Sequence, residues 1–164
     1  MQKTEVSLPE LKLLGLSCRT SLNHEMSPSS AKIPGMLQKY FGSQSPEKIP
    51  HRLKPGVTYC VYTNYESDYT GEYDYFVGEV VNSFEKTPEG FSQLTIPSQH
   101  YVKITAGPGK MPEICIQAWQ EEVWAASPEM LGGKRNYLAD FEVYDERATD
   151  PQNTILDIYV GINH

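Results

Sequence analysis

The chain has 164 residues, with 14 Lys or Arg against 21 Asp or Glu and a formal net charge of -7. This length fits a single domain, and the acidic balance argues against direct nucleic-acid binding and mildly favours cationic ligands. The sequence shows no apolar run typical of a membrane span or a signal peptide, and its three cysteines lack CxxC spacing, so we expect a cytoplasmic protein with reduced thiols.

The first half of the chain predicts a strand, a helix and two further strands. Residues 8–20 alternate as a strand does, with a change of phase that predicts a bulge or bend at Gly15. Ser29 and Ser30 are candidate N-caps for a helix whose apolar positions continue to Gly42. A polar loop then leads to the predicted strands 57–64 and 73–81, and the acidic residues 65–73 between these strands are expected to form a surface hairpin loop rather than a site.

The second half predicts the same succession of elements. A strand over 94–105 is expected to end at the turn residues 107–110. The helix that follows, residues 112–126, carries Trp119 on its apolar stripe and Trp124 off it. Two predicted strands finish the chain, residues 138–146 and 154–162.

The two halves also share a short motif. Val61-Tyr62 and a later Val77-Gly78 are echoed by Val143-Tyr144 and Val160-Gly161, and the two valines of a copy are 16 positions apart in the first half and 17 in the second. An internal repeat fixes architecture, and two copies are too few for a solenoid. We therefore expect the copies to pair, with Val61 equivalent to Val143 and Val77 equivalent to Val160.

The predicted fold is α+β, with a duplicated strand-helix-strand-strand unit, an antiparallel sheet of six to eight strands and two main helices. Residues 1–164 would form one domain whose halves cover about 1–81 and 94–164. The seam at the pseudo-two-fold axis is the natural place for a ligand cavity.

Several segments of the chain resemble the bacterial effector-binding domain. That family includes the ligand-binding parts of AraC-type and MerR-type multidrug-responsive regulators and the stand-alone gyrase-inhibitory-like proteins, some of them carried on integron cassettes. The resemblance covers nearly the whole chain and rests on the order and spacing of residues 9–16, 65–73, 96–98, 118–124, 140–145 and 157–160.

The resemblance implies two fused halves around an apolar, aromatic-lined cavity. In many family members, the glutamate that matches Glu142 lies in that cavity and meets the positive charge of lipophilic drugs or dyes. The sequence shows no DNA-binding helix-turn-helix segment before the domain, so we expect a stand-alone member rather than a complete regulator. No cofactor is implied.

Glu142 is the central candidate of the predicted site. On a strand it shares one face with Tyr144, while Phe141 and Val143 share the other. If that second face enters the main core, the carboxylate lies in the cavity; otherwise it is a solvent-facing strand residue. The predicted ligand-binding set, for whose apolar members core packing is the alternative, is Glu142, Trp119, Tyr144, Tyr62, Phe76, Met36 and Tyr40.

The function expected first is binding of amphipathic, cationic and aromatic small molecules, for drug sequestration or sensing. The resemblance to gyrase-inhibitory-like proteins implies a second possibility, a protein-interaction module that protects gyrase and would need a protein partner. Some stand-alone relatives resemble hydrolases that open reactive cyclopropane rings, which implies a third possibility, with Glu142 and Tyr144 activating water. Four scattered histidines without HxH or HExxH spacing argue against a metal site, and no catalytic residue is assigned.

Overall fold

The computed structural model describes residues 1–163, which form one large antiparallel sheet with short helices. The strands are β1 (Gln2–Leu8), β2 (Leu11–Ser21), β3 (Thr58–Thr63), β4 (Glu72–Val81), β5 (Ser92–Ile96), β6 (Gln99–Gly109), β7 (Lys134–Arg135), β8 (Ala139–Tyr144) and β9 (Thr154–Asn163). The helices are α1 (Leu22–Glu25), α2 (Ile33–Gly42), α3 (Ser45–Lys48), α4 (Glu113–Ala118), a π-helical turn (Trp119–Trp124), α5 (Pro128–Leu131) and a 3₁₀ turn (Glu146–Ala148). None of the helices in this part of the chain has the length and apolarity that a membrane crossing requires.

The strand order confirms the duplicated α+β architecture. The sheet runs β1-β6-β9-β8-β3-β4-β2-β5, and β7 pairs with β9 outside this path. The order is symmetric about the β8–β3 pair: β3, β4 and β2 follow on one side as β8, β9 and β6 do on the other. The helical segment of each half, α2 or α4 with the π-turn, lies in sequence between the corresponding strands.

The two halves exchange their outermost strands. Strand β1 pairs with β6 of the second half, whereas β5 pairs with β2 of the first half. Only Pro9 and Glu10 separate β1 from β2, although these strands lie near opposite ends of the sheet. The sheet must therefore curve until its two ends approach each other.

The curved sheet has a different core on each face. On one face of the curved sheet, side chains of the strands and their immediate neighbours pack against each other without a helix. This cluster, which includes Leu13, Phe76 and Phe141, is called the strand-only core below. The helices cover the other face in two separate clusters, α2 over the first half and α4 with the π-turn over the second. The seam between these clusters lies over β3 and β8.

Four local features differ from the sequence-based prediction. Strand β1 was not predicted, and the single predicted strand over 94–105 is two strands, β5 and β6, of which β6 continues through the expected turn to Gly109. The cap of α2 is neither Ser29 nor Ser30: the Glu25 carboxylate accepts hydrogen bonds from the backbone N–H groups of Lys32 and Ile33, at 2.8 and 3.1 Å.

Of the bulge or bend predicted at Gly15, the bulge is absent. The pairing of β2 with β4 continues without a shift from Lys12 to Ser21. The apparent change of phase arises because β2 is buried on both faces: Leu13 enters the strand-only core, and Leu14 and Leu16 lie on the helix side. Strands buried on both faces lose the simple alternation on which that prediction depended.

The two valine equivalences cannot both hold. Val61 pairs with Phe76 across β3 and β4, and Val143 pairs with Asp157 across β8 and β9. If Val61 corresponds to Val143, then Val77 corresponds to Ile158 rather than Val160. A shift of two residues keeps every side chain on its face, so the hydrophobic pattern alone does not detect it.

Gly15 is required by a close approach of two strands. Its partner in β4 is Gly78, and a Cβ atom added at Gly15 would lie 2.0 Å from the Val77 carbonyl oxygen and 2.7 Å from the Gly78 Cα. We expect Gly15→Ala to lower the free energy of unfolding in urea by about 1–3 kcal/mol, as overpacking does. The control is Gly35→Ala in α2, where an added Cβ meets nothing within 4 Å; this change should be neutral or stabilise by up to about 1 kcal/mol. Equal effects of the two changes would contradict the close-approach interpretation.

Candidate functional site

Glu142 lies at the seam, on the helix side of the sheet. Strand β8 alternates as a strand should, so Phe141 and Val143 enter the strand-only core and Glu142 points to the opposite face. Its register partner is Cys60 of β3, at the pair of strands about which the sheet is symmetric. The residue is only 3% exposed. The structure therefore holds a carboxylate almost out of water between the two helical clusters.

Three neutral donors satisfy this carboxylate. Tyr62 Oη and Trp119 Nε1 each donate to Oε2 at 2.7 Å, and Tyr144 Oη donates to Oε1 at 2.6 Å. Burial, together with the nearby negative charge of Glu142, raises the pKa of Tyr62 and of Tyr144. Both phenols therefore remain protonated, and remain donors, throughout the neutral pH range.

The carboxylate has no protein counter-charge. None of the ion pairs formed by residues 1–163 includes Glu142. Nor do any three His, Cys, Asp or Glu side chains in this range come close enough to hold a metal ion together. A buried carboxylate without a cation is costly, and neutral hydrogen bonds offset only part of that cost.

An aromatic cavity of about 230 Å³ opens beside Glu142. Its wall on the first-half side comes from α1, the start of α2, β3, β4 and the segment between the two strands, and its wall on the second-half side comes from α4, the π-turn, β7 and β8. Tyr62 contacts Trp119 edge-on, with ring centroids 5.3 Å apart. The aromatic residues that line the cavity are Tyr62, Tyr65, Tyr69, Tyr73, Trp119 and Trp124.

The π-helical turn explains why both tryptophans face this cavity. In an α-helix, residues five apart point in clearly different directions, which is why the sequence placed Trp124 off the apolar stripe. Here the Ala125 N–H donates to the Gln120 carbonyl, five residues back, at 3.2 Å, and this wider turn brings the directions of residues five apart closer together. Trp124 then stacks on Tyr69, with centroids 5.5 Å apart and planes 14° apart.

The cavity wall also contains two other charged side chains, each with partners of its own. Arg135 donates from Nη2 to Asp140 Oδ2 at 2.8 Å, and Asp140 is completely buried. The same oxygen accepts from Tyr65 Oη at 2.6 Å. Glu25 is held by the backbone N–H groups that it caps at the start of α2. The positive charge of Arg135 is thus already paired with Asp140. Glu142 has no such charged partner among residues 1–163, so its charge is available to an incoming cation.

A second cavity, of about 520 Å³, lies on the other side of Glu142. It extends from Glu142 and Tyr144 toward α2 and the segment between β8 and β9. Its lining includes Leu37 and Phe41 of α2 and Met111, which precedes α4. Five residues line both cavities: Ile33, Tyr62, Cys115, Ile116 and Glu142.

The predicted site residues fall into two groups. Glu142, Trp119, Tyr62 and Tyr144 are brought together by direct hydrogen bonds. Phe76 is not at either cavity, because strand alternation sends it into the strand-only core, and its neighbour Tyr75 lines the second cavity instead.

The two predicted residues of α2 also lie outside the cavities. Tyr40 is completely buried beneath α2, and Met36 packs half-buried on the same cluster. Helical periodicity indicates which side of α2 faces the protein. It does not separate the residues over the core from Leu37 and Phe41, which reach the seam.

Most of the first cavity's wall lies in residues that the sequence did not indicate. Residues 65–73 were expected to form a surface hairpin loop, yet Tyr65, Tyr69 and Tyr73 all line the cavity. The available signal was the recurrence of tyrosine at every fourth position in a polar segment. Arg135 and Cys115 had no recognisable signal, since neither lies in a motif.

Comparison with known proteins places this geometry in a family. The family model for the integron-associated effector binding protein Cass2 matches residues 6–162. YobU of Bacillus subtilis (strain 168), described by its name as a candidate transcriptional regulator protein, is 28% identical over 151 residues, which cover 92% of this chain and 91% of YobU.

Solved structures show the same fold. The integron cassette protein VCH_CASS2, from the mobile metagenome of Vibrio cholerae, matches with a TM-score of 0.77 and 27% identity, covering 98% of this chain and 95% of that one. SAV2435, solved with bound tetraphenylphosphonium, matches with a TM-score of 0.76 and 16% identity, covering 99% and 94%. Because the family model spans nearly every residue from β1 to β9, the chain belongs to the Cass2 family of integron-associated effector binding proteins.

Proposed function

We propose that the protein binds amphipathic cations with aromatic groups in the cavity beside Glu142. The observation that carries this proposal is the state of that carboxylate: it is 3% exposed, it is held by three neutral donors, and it forms no ion pair with any of residues 1–163. A ligand cation would supply the missing charge.

The aromatic wall supports the same class of ligand. The faces of Tyr and Trp rings attract cations by about 0.5–2 kcal/mol each when the charge lies over them, and their apolar surfaces bury aromatic ligand groups. Tyr69 and Trp124 already stack on each other, so a flat ligand would extend an existing stack. The tetraphenylphosphonium bound to SAV2435, a protein of the same fold, is a ligand of this class.

The charge of the ligand is the property to test. Tetraphenylphosphonium and tetraphenylborate have nearly the same shape and opposite charges. The difference in their affinity therefore reports the sign of the electrostatic potential in the cavity. We expect saturable calorimetric binding of the phosphonium, with the borate at least about tenfold weaker, which corresponds to roughly 1.4 kcal/mol. Equal affinities, or preference for the anion, would contradict the proposal.

Hydrolysis is a second candidate, favoured by the 2.6 Å contact between Tyr144 and Glu142. A carboxylate and a phenol in this arrangement are the groups needed to activate a water molecule for attack on a reactive ring. The two functions differ in turnover. Product that accumulates beyond one equivalent per chain would support hydrolysis, and reversible saturation would support binding alone.

A further inference from the structure

The two cavities meet at a single carboxylate. Trp119, which lines only the first cavity, donates to Glu142 Oε2, and Tyr144, which lines only the second, donates to Oε1. Tyr62 also donates to Oε2 and lines both cavities. A charge that lies against Glu142 is therefore next to both cavities at once.

The cavities are counterparts across the seam. The first lies between the β3–β4 segment of the first half and the Trp119–Trp124 turn of the second half. The second lies between Leu37 and Phe41 of α2, in the first half, and residues 145–149 of the second half. Each thus combines part of the helical segment of one half with the strand connection of the other, and the two helical segments also meet both cavities through Ile33 of α2 and Cys115 and Ile116 of α4.

Although they correspond in position, the two cavities are lined differently. Five of the eight residues that line only the first cavity are aromatic, against three of the twelve that line only the second. The second cavity has more than twice the volume, 520 against 230 Å³. Its additional wall includes Leu37, Met111 and Ala148, and flexible or aliphatic side chains of this kind adapt to a chain that has no fixed shape.

The charged groups also favour an uncharged occupant for the second cavity. Its charged lining residues are Glu142 and Asp145, with no Lys or Arg among them. Arg147 holds Asp145 through two hydrogen bonds of 2.9 Å, so Asp145 does not lack a partner as Glu142 does. An anionic ligand group is disfavoured there, and a second cation would compete for the charge of Glu142.

We propose that the ligand is a cation with an aromatic group on one side of its charge and a flexible alkyl chain on the other. This rests on the proposed function, and it specifies the ligand class further. The aromatic group occupies the first cavity, the charge lies against Glu142, and the alkyl chain occupies the second cavity. A benzyldimethylalkylammonium ion has this arrangement of groups.

A series of these ions tests the proposal. Calorimetric titration would start with benzyltrimethylammonium and continue through the ethyl, butyl, hexyl and octyl homologues, below their micelle concentrations. We expect one ligand per chain and an affinity that rises by up to about fourfold per methylene, the effect of burying one CH₂ group. The rise should end when the second cavity is full. An affinity that does not change with chain length would overturn the proposal.

Two variants block the second cavity from opposite walls. Ala148→Phe and Leu37→Trp each place an aromatic ring in the second cavity, and neither position lines the first cavity. In both, the dependence on chain length should disappear while benzyltrimethylammonium binds as in the wild type. The control, Leu22→Phe, changes a residue that lines only the first cavity; it should weaken all members alike and keep the chain-length dependence.

The outcomes separate the two proposals. Failure of benzyltrimethylammonium to bind the wild type would contradict the proposed function itself. Binding of that ion with the same chain-length dependence in wild type, Ala148→Phe and Leu37→Trp would overturn only the assignment of the alkyl chain. Two ligands per chain would likewise overturn it, since a single ligand is proposed to lie across Glu142. Circular dichroism of each variant checks that the fold is retained.

Discussion

Glu142→Gln is expected to weaken binding of tetraphenylphosphonium by at least about tenfold, which corresponds to roughly 1.4 kcal/mol. Removing one partner of a desolvated charge pair costs about 2–5 kcal/mol, so tenfold is the lower bound of the expected loss. Glutamine keeps the shape of the side chain. The hydroxyls of Tyr62 and Tyr144 can each accept as well as donate, so the hydrogen bonds around the residue can be remade. The measurement is calorimetric titration at moderate salt.

Two controls separate lost charge from lost structure. Triphenylphosphine oxide, a neutral molecule of similar shape, should bind Glu142→Gln as well as or better than the wild type, because the variant no longer holds an uncompensated charge. Glu146→Gln changes an exposed residue outside both cavities and should leave both affinities unchanged. If Glu142→Gln and wild type bound the phosphonium equally, the cation-binding proposal would be wrong.

Asp140→Asn is expected to reduce the free energy of unfolding by about 3–5 kcal/mol, the usual cost of breaking a buried ion pair from one side. Asp140 is completely buried and accepts from Arg135 Nη2, Tyr65 Oη and the Gly161 N–H at 2.8, 2.6 and 2.8 Å. The Arg135 side chain is only 8% exposed. Loss of the Asp140 carboxylate would leave the positive charge of Arg135 buried without compensation. Urea unfolding would measure the effect.

A double variant and a surface pair provide the comparison. In Asp140→Asn with Arg135→Gln, both charges are absent, so the double variant should be more stable than Asp140→Asn alone. Lys3 and Glu122 form an ion pair whose side chains are 24% and 23% exposed, and Glu122→Gln should cost about 1 kcal/mol at most. A loss at Asp140 no larger than the loss at Glu122 would mean that the buried pair contributes little.

Most of the fold could be predicted because the duplicated unit repeats the same local patterns. Strand β8 alternates cleanly between apolar and acidic residues, and this alternation was enough to place Glu142 opposite Phe141. What the sequence did not reveal depends on long-range pairing. Strand β1 has a weak apolar pattern and gains its structure from β6, about a hundred residues away. The α2 cap likewise depends on the turn between Glu25 and Lys32, seven residues later, which brings the Glu25 carboxylate to the start of the helix.

The site could be predicted only where a residue's own element fixes its direction. Glu142 and Tyr144 follow from one strand, and Tyr62 follows from the matching strand of the other half. Trp124 was misplaced because its direction depends on a π-turn, which periodicity based on the α-helix does not anticipate. Tyr69 was missed for a related reason, since loop residues have no period from which a direction can be read.

The exchange of β1 and β5 between the halves has a consequence for synthesis of the chain. Strand β1 is made first, but its partner residues in β6 run from Gln99 to Thr105. At typical elongation rates of about 5–20 residues per second, β1 must wait roughly 5–20 s for that partner. During this time it is an unpaired strand exposed to wrong partners. The charges of Lys3 and Glu5 within β1 are of the kind that discourages aggregation through open strand edges, so we expect them to protect the nascent chain as well as the finished sheet.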